Sequence, residues 1–303
     1  MCSVVRPAVP DTINIKPMNI LDLGKIDAPV LVFGGPYSNR QATEALLHQA
    51  KVLNIPPERI ICTGDVVAYC AAPTETTRLV RDAGLHVVQG NCEISFGDNA
   101  DDCGCGFEEG STCDRLSAQW FDYARRQLSP EAAHWMKTLP GQIHFEMANR
   151  KLAVVHGTPA AVNRFVFPST PLADKLDEIV SNECDGVICG HSGLPFTQNI
   201  DGRLWHNAGV IGLPANDGTP RTWFSLLTPE ESSLRIEHLP LSYDFKAASN
   251  DMTRAGLPEE YARTLTTGLW DNCDILPATE AGQQGIPLAF EPGFWRHIQQ
   301  AAE

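Results

Sequence analysis

The 303 residues carry 37 Asp and Glu against 23 Lys and Arg, a formal charge of −14, with 43% hydrophobic and 20% charged residues. This balance argues against nucleic acid or an anionic membrane as the main partner, since both require broad basic patches, but leaves room for a local pocket that takes a small anionic substrate. There is no run of about 18 apolar residues and no signal-peptide pattern in residues 1–10, so a cytoplasmic chain is expected: one large domain with an appendage.

Residues 1–27 lack periodicity and read as an N-terminal arm. Pro29 to Gly34 forms the first core strand, and Ser38 or Asn39 caps a helix to about Leu53 that buries Ala42, Leu46, Leu47 and Ala50. Ile60-Ile61-Cys62 is a short buried strand stopped by Gly64-Asp65, and Pro73 opens a helix to Ala83. His86 to Gln89 runs into Gly90-Asn91-Cys92-Glu93, and the polar stretch 97–110 is too long for a plain connection, which marks a functional loop. Helices are expected over 111–128 and from Ser129-Pro130-Glu131 to Leu139, followed by a hairpin about Asn149-Arg150 whose second strand ends at His156-Gly157. Thr170-Pro171 starts a helix to Asn182, and Gly186 to Cys189 is a strand ending at Gly190-His191. Strands at 196–200, 203–207, 222–227 and 233–238 form a meander, with Asp201-Gly202 as a type I′ turn. Residues 241–303 hold too few apolar positions for a core of their own. They are expected to pack on the main domain, with helices at 258–265 and 294–302.

Four apolar strands thus end in glycine beside Asp65, Asn91, His156 or His191. Strand carboxyl ends are where open α/β sheets bind ligands, and a carboxylate, an amide oxygen and two imidazoles make a divalent metal site suited to Zn, Mn or Fe. The ordered set Gly64-Asp65, Gly90-Asn91, His156-Gly157 and Gly190-His191 resembles the calcineurin-like metallophosphoesterase superfamily over residues 28–240. That resemblance implies an α/β fold of two packed mixed β-sheets flanked by helices, a four-layer sandwich, with two metals bridged by the aspartate that matches Asp65.

The chain departs from the family pattern at one metal. An Asp-x-His is required after the first strand, where this sequence has Gly35-Pro36-Tyr37, and the final Gly-His-x-His is Gly190-His191-Ser192-Gly193. The resemblance therefore implies one complete site, Asp65, Asn91, His156 and His191, and one erased site. Restoring Gly35→Asp, Tyr37→His and Gly193→His is expected to rebuild the second site. Cys92 stands where many members have a proton-donating histidine. Tyr37 is expected either to donate a hydrogen bond to substrate or to fill the vacated volume, and Arg164 either to pair with the anion or to remain a surface side chain. His206 is expected to be a satisfied non-ligand.

Of the ten cysteines, Cys92, Cys103, Cys105 and Cys113 share one short window. Three readings stay open: Cys103 and Cys105 supply thiolates to a second metal, they join Cys113 in a separate zinc site, or they form a redox pair. The resulting expectation is metal-dependent hydrolysis of a small phosphate ester by a reduced or altered centre. The alternatives are a non-hydrolytic metal- or thiol-dependent binding protein, or metal-dependent cleavage of another bond type.

Overall fold

In the computed structural model, which describes residues 19–296, the expected strands and helices of the first half appear in order, joined by two that were not expected, Ile20–Lys25 and Asn91–Gly97. They are Ile20–Lys25 (β1), Val30–Phe33 (β2), Arg40–Val52 (α1), Ile60–Cys62 (β3), Pro73–Asp82 (α2), His86–Val87 (β4), Asn91–Gly97 (α3), Thr112–Gln127 (α4) and Pro130–Thr138 (α5). The chain continues through Gln142–Met147 (β5), Arg150–Val154 (β6), Leu172–Ser181 (α6), Gly186–Cys189 (β7), Phe196–Ile200 (β8), Arg203–Asn207 (β9), Thr222–Pro229 (β10) and Ser233–Leu241 (β11). Beyond that lie Phe245–Arg254 (α7), Glu259–Thr267 (α8), Ala278–Ala281 (α9) and Gly293–Arg296 (β12).

Two six-stranded mixed sheets result, ordered β1-β5-β6-β7-β9-β8 and β12-β11-β10-β2-β3-β4. Alternation along β2 shows how they pack. Val30 and Val32 join Phe145, Leu152 and Ile188 between the sheets, while Leu31 and Phe33 face a second cluster beneath the helices with Leu46, Trp120 and Phe121. A third cluster packs Ile179 of α6 on the far face of the first sheet. Each layer thus buries an apolar face, as a four-layer sandwich requires.

The differences from the sequence reading lie near the ends. Part of the supposed arm is β1, which pairs in parallel with β5 at the sheet edge. Phe294 to Arg296 is strand rather than helix, because pairing with β11 and burial of Trp295 override local propensity. The remainder of that expected helix, 297–302, and residues 1–18 lie outside the described residues. The segment after Leu241 contributes Met252, Leu257 and Leu265 to the same cluster as Leu46 and Phe33.

Between the sheets His206, His238, Thr197 and Ser225 close a ring of hydrogen bonds. Thr197 Oγ1 meets His206 Nδ1 at 2.8 Å and His238 Nε2 at 2.9 Å, and Ser225 Oγ meets His206 Nε2 at 2.9 Å and His238 Nδ1 at 3.2 Å. Two hydroxyls and two neutral imidazoles carry one hydrogen for each link, so the ring closes only while both histidines are neutral. Burial holds the His206 pKa well below the ordinary value and that of His238 down to about 3. The unfolded chain takes up protons near pH 6.5 and the folded chain does not. This stability is therefore present above pH 6.5 and declines as pH falls from there towards 3. Urea unfolding should show the protein less stable at pH 5 than at pH 7.5, by about 2 kcal/mol from His238 and further in the same direction from His206. The double variant His206→Asn, His238→Asn should flatten that slope, and an unchanged slope would count against the ring.

Candidate metal centre

The carboxyl ends of β3 and β4 in one sheet and of β6 and β7 in the other meet at a seam. Glycine permits the meeting: a β-carbon on Gly190 would lie 2.0 Å from Thr63 Oγ1. His156 Nδ1 donates to the Thr63 carbonyl at 2.7 Å, tying the sheets together and leaving the Nε2 lone pair of the neutral ring aimed into the seam. Around that Nε2 lie Asp65 Oδ2 at 3.2 Å, Asn91 Oδ1 at 3.0 Å and His191 Nδ1 at 2.9 Å. The Asn91 amide is oriented by its Nδ2, which donates to Cys103 O at 2.9 Å.

Such crowding of acceptor atoms needs a positive charge among them. Burial pushes the His156 pKa down, but the Asp65 carboxylate outweighs it and the net shift is upward. Burial raises Asp65 in turn, and His156 outweighs that and lowers it. The proton they share occupies the place of a cation. His191 is pushed down to about 3 by burial and then by His156, so it stays neutral and offers a lone pair. Asp65, His156 and His191 present ligand atoms all within 4.8 Å of one another, and Asn91 adds an amide oxygen. All of these residues are buried. This donor set fits a borderline divalent metal, with metal binding displacing the proton.

Asp65 adopts a left-handed backbone, φ 57°, which costs energy for a non-glycine residue and must be held from outside. Glu93 does so. Its fully buried carboxylate accepts N–H bonds from Asp65 (2.8 Å), Val66 (2.7 Å) and Gly90 (2.8 Å). Burial, and then the Asp65 charge, lift its pKa to about 7. The sequence reading passed over Glu93, although a glutamate three residues after Gly90 at the start of α3 is placed to accept the Gly90 N–H.

The other candidates separate by position. Cys92 donates its backbone N–H to Asp65 Oδ1 at 3.1 Å, and burial followed by Asp65 keeps its thiol well above the ordinary pKa, which makes it a poor nucleophile or ligand. Cys103 and Cys105 are joined as a disulfide, the redox-pair arrangement among the three readings, and in that oxidised state neither offers a thiolate to a metal. Cys105 Sγ nonetheless lies 3.3 Å from Asn91 Nδ2, so the 97–110 loop does reach the centre. Arg164 is not brought to the site. It pairs at 3.1 Å with both Asp174 and Glu178, whose carboxylates satisfy it instead of a substrate. His206 is held in the hydroxyl ring away from the four ligands.

Tyr37 stands in the erased half. Its ring folds over Gly35, where a β-carbon would come within 2.4 Å of Tyr37 Cζ. Burial and then Asp65 raise its pKa well above the ordinary value, so the hydroxyl stays protonated. A cavity of about 80 Å³ opens beside Asp65, His191 and Tyr37, and its outer wall includes Tyr261 and Trp270 from the C-terminal segment.

Residues 36–231 match the calcineurin-like phosphoesterase superfamily domain. The uncharacterized protein MJ0912 of Methanocaldococcus jannaschii is 26% identical over 257 residues, covering 80% of this chain and 99% of that protein. Among solved structures, hypothetical protein PH1004 from Pyrococcus horikoshii OT3 superposes with a TM-score of 0.68 at 17% identity, covering 80% of this chain and 99% of that one. A metallophosphoesterase from Sphaerobacter thermophilus superposes with a TM-score of 0.64 at 21% identity, covering 80% of this chain and all of the other (100%).

Proposed function

The chain belongs to the calcineurin-like phosphoesterase superfamily, and from that premise we propose that it hydrolyses a small phosphate ester at a centre built on one divalent metal. The observation that carries this reading is the convergence of Asp65, Asn91, His156 and His191 on one buried point at the sheet seam. These four residues would hold the ion. A bound divalent cation supplies Lewis acidity towards a phosphoryl oxygen. The chain's own residues do the rest. Thr63 and Glu93 fix His156 and Asp65 in place, so the ligand set needs little rearrangement. Tyr37, on the side without ligands, is the neutral donor available to a phosphoryl oxygen.

The test combines metal analysis with turnover. Purified protein should hold about one equivalent of Zn, Mn or Fe and show slow hydrolysis of bis(p-nitrophenyl) phosphate when metal-loaded. Asp65→Ala should lower both metal content and rate by roughly 100-fold. Metal retained at full stoichiometry in Asp65→Ala would remove the proposed centre. Metal bound by the native protein without hydrolysis of any ester would favour the binding-protein alternative.

A further inference from the structure

Resting on the phosphoesterase reading, we propose that the half of the centre without metal ligands is a binding surface for an uncharged aromatic group. The substrate would then be a phosphodiester with an aromatic ester arm, and Trp270 a residue that selects it. Two rings stand where the family pattern has ligands. The Tyr37 ring covers Gly35, and a β-carbon on Gly193 would lie 3.8 Å from Trp270 Cζ2 and 3.9 Å from Cη2. The polar groups of Trp270 are engaged elsewhere. Its Nε1 donates to Pro214 O at 2.8 Å, its backbone N–H to Asn216 Oδ1 at 2.8 Å, and its carbonyl accepts from Gln284 at 2.9 Å. The indole is therefore positioned with only its apolar surface to offer the cavity.

The surroundings continue this chemistry. Tyr69 packs against Tyr37 with centroids 4.9 Å apart and against Tyr261 at 4.8 Å, while Phe165 stacks on His191 at 4.2 Å. A flat ring entering beside the metal position would meet aromatic side chains on both flanks. Charge decides the class of phosphate. The cavity's ionisable lining includes Asp65, Glu260 and Asp271, and among the described residues no lysine or arginine lines it. The nearby cations are committed, Arg164 to Asp174 and Glu178 and Arg263 to Asp271. A monoester dianion or a polyphosphate would bring charge that a single metal must balance against Asp65 and Glu260, since Asp271 is already paired with Arg263. A diester brings one charge and an apolar arm.

The experiment measures binding separately from turnover. Isothermal titration of Mn-loaded protein should show diphenyl phosphate bound about tenfold more tightly than diethyl phosphate, at equal ligand charge. Trp270→Leu should erase that preference while leaving diethyl phosphate within about twofold, and Trp270→Phe should retain most of it. A circular-dichroism melt establishes that each variant is folded. If Trp270→Leu does not fold, Tyr261→Leu supplies the same comparison. In parallel, kcat/KM for bis(p-nitrophenyl) phosphate should exceed that for p-nitrophenyl phosphate. Equal binding of the two diesters, or a preference unchanged in folded Trp270→Leu, would overturn the inference even if hydrolysis is found. Trp270-dependent binding without hydrolysis of any ester would sustain the aromatic surface and sink the phosphoesterase reading instead.

Discussion

Glu93→Ala is expected to lower the melting temperature by roughly 10 °C and to weaken metal binding, although Glu93 is not one of the four ligands. The carboxylate is fully buried and accepts three backbone N–H groups, two on Oε2 and one on Oε1. Alanine leaves all three donors without a partner in a dry seam, at about 1–3 kcal/mol each. It also loosens the left-handed turn at Asp65, which would then rest on the Cys92 N–H to Asp65 Oδ1 and the Tyr37 N–H to the Asp65 carbonyl. Glu93→Gln keeps one oxygen, which can serve Asp65 and Gly90, but turns an NH2 towards the Val66 N–H. Its effects should therefore fall between those of glutamate and alanine. Thermal melts and metal titrations of the three proteins should rank Glu, Gln, Ala in both properties. An alanine variant that melts within about 2 °C of native and binds metal normally would show that the turn is held by something else.

What the sequence revealed of this site depended on how local the signal was. Asp65, Asn91, His156 and His191 were legible because each comes within four residues of a strand end beside a glycine, which fixes where the polar side chain emerges. Glu93 was less legible because it acts through backbone N–H groups on another strand end, a contact that no period in the sequence records. Trp270 was not legible at all, since it meets Gly193 only because α8 and the turn after Gly268 pack across the cavity. At the chain ends the reading failed for the same reason. β1 exposes most of its residues and exists by pairing with β5, and β12 exists by pairing with β11. The start of α7 did carry a local signal that was passed over, Asp244 capping the Ala247 N–H.

The triple variant Gly35→Asp, Tyr37→His, Gly193→His is expected to bind no second metal and to be less stable by about 4 kcal/mol or more, reversing what motif comparison alone suggests. Gly193 has φ 74° and Gly35 has φ 33°, both in the left-handed region, where a β-carbon costs about 1–2 kcal/mol per residue. A histidine on Gly193 must also pass Trp270 and Val210, which already lie within 3.9 Å of its first carbon. Tyr37→His is the mildest change for the backbone, because histidine tolerates the left-handed conformation that Tyr37 adopts at φ 51°. It still removes the ring that packs edge-on against Tyr69, opening a cavity at a further cost of about 1–3 kcal/mol. The added carboxylate would be desolvated before any ion offset its charge. Metal analysis of the folded fraction should therefore give the same stoichiometry as the native protein, and the melting temperature should fall by roughly 10 °C. A soluble, cooperatively melting triple variant with two metals per chain would show that Trp270 and the glycine turns yield easily. In that case the missing ligands alone, and not the aromatic wall that has replaced them, keep the second site empty.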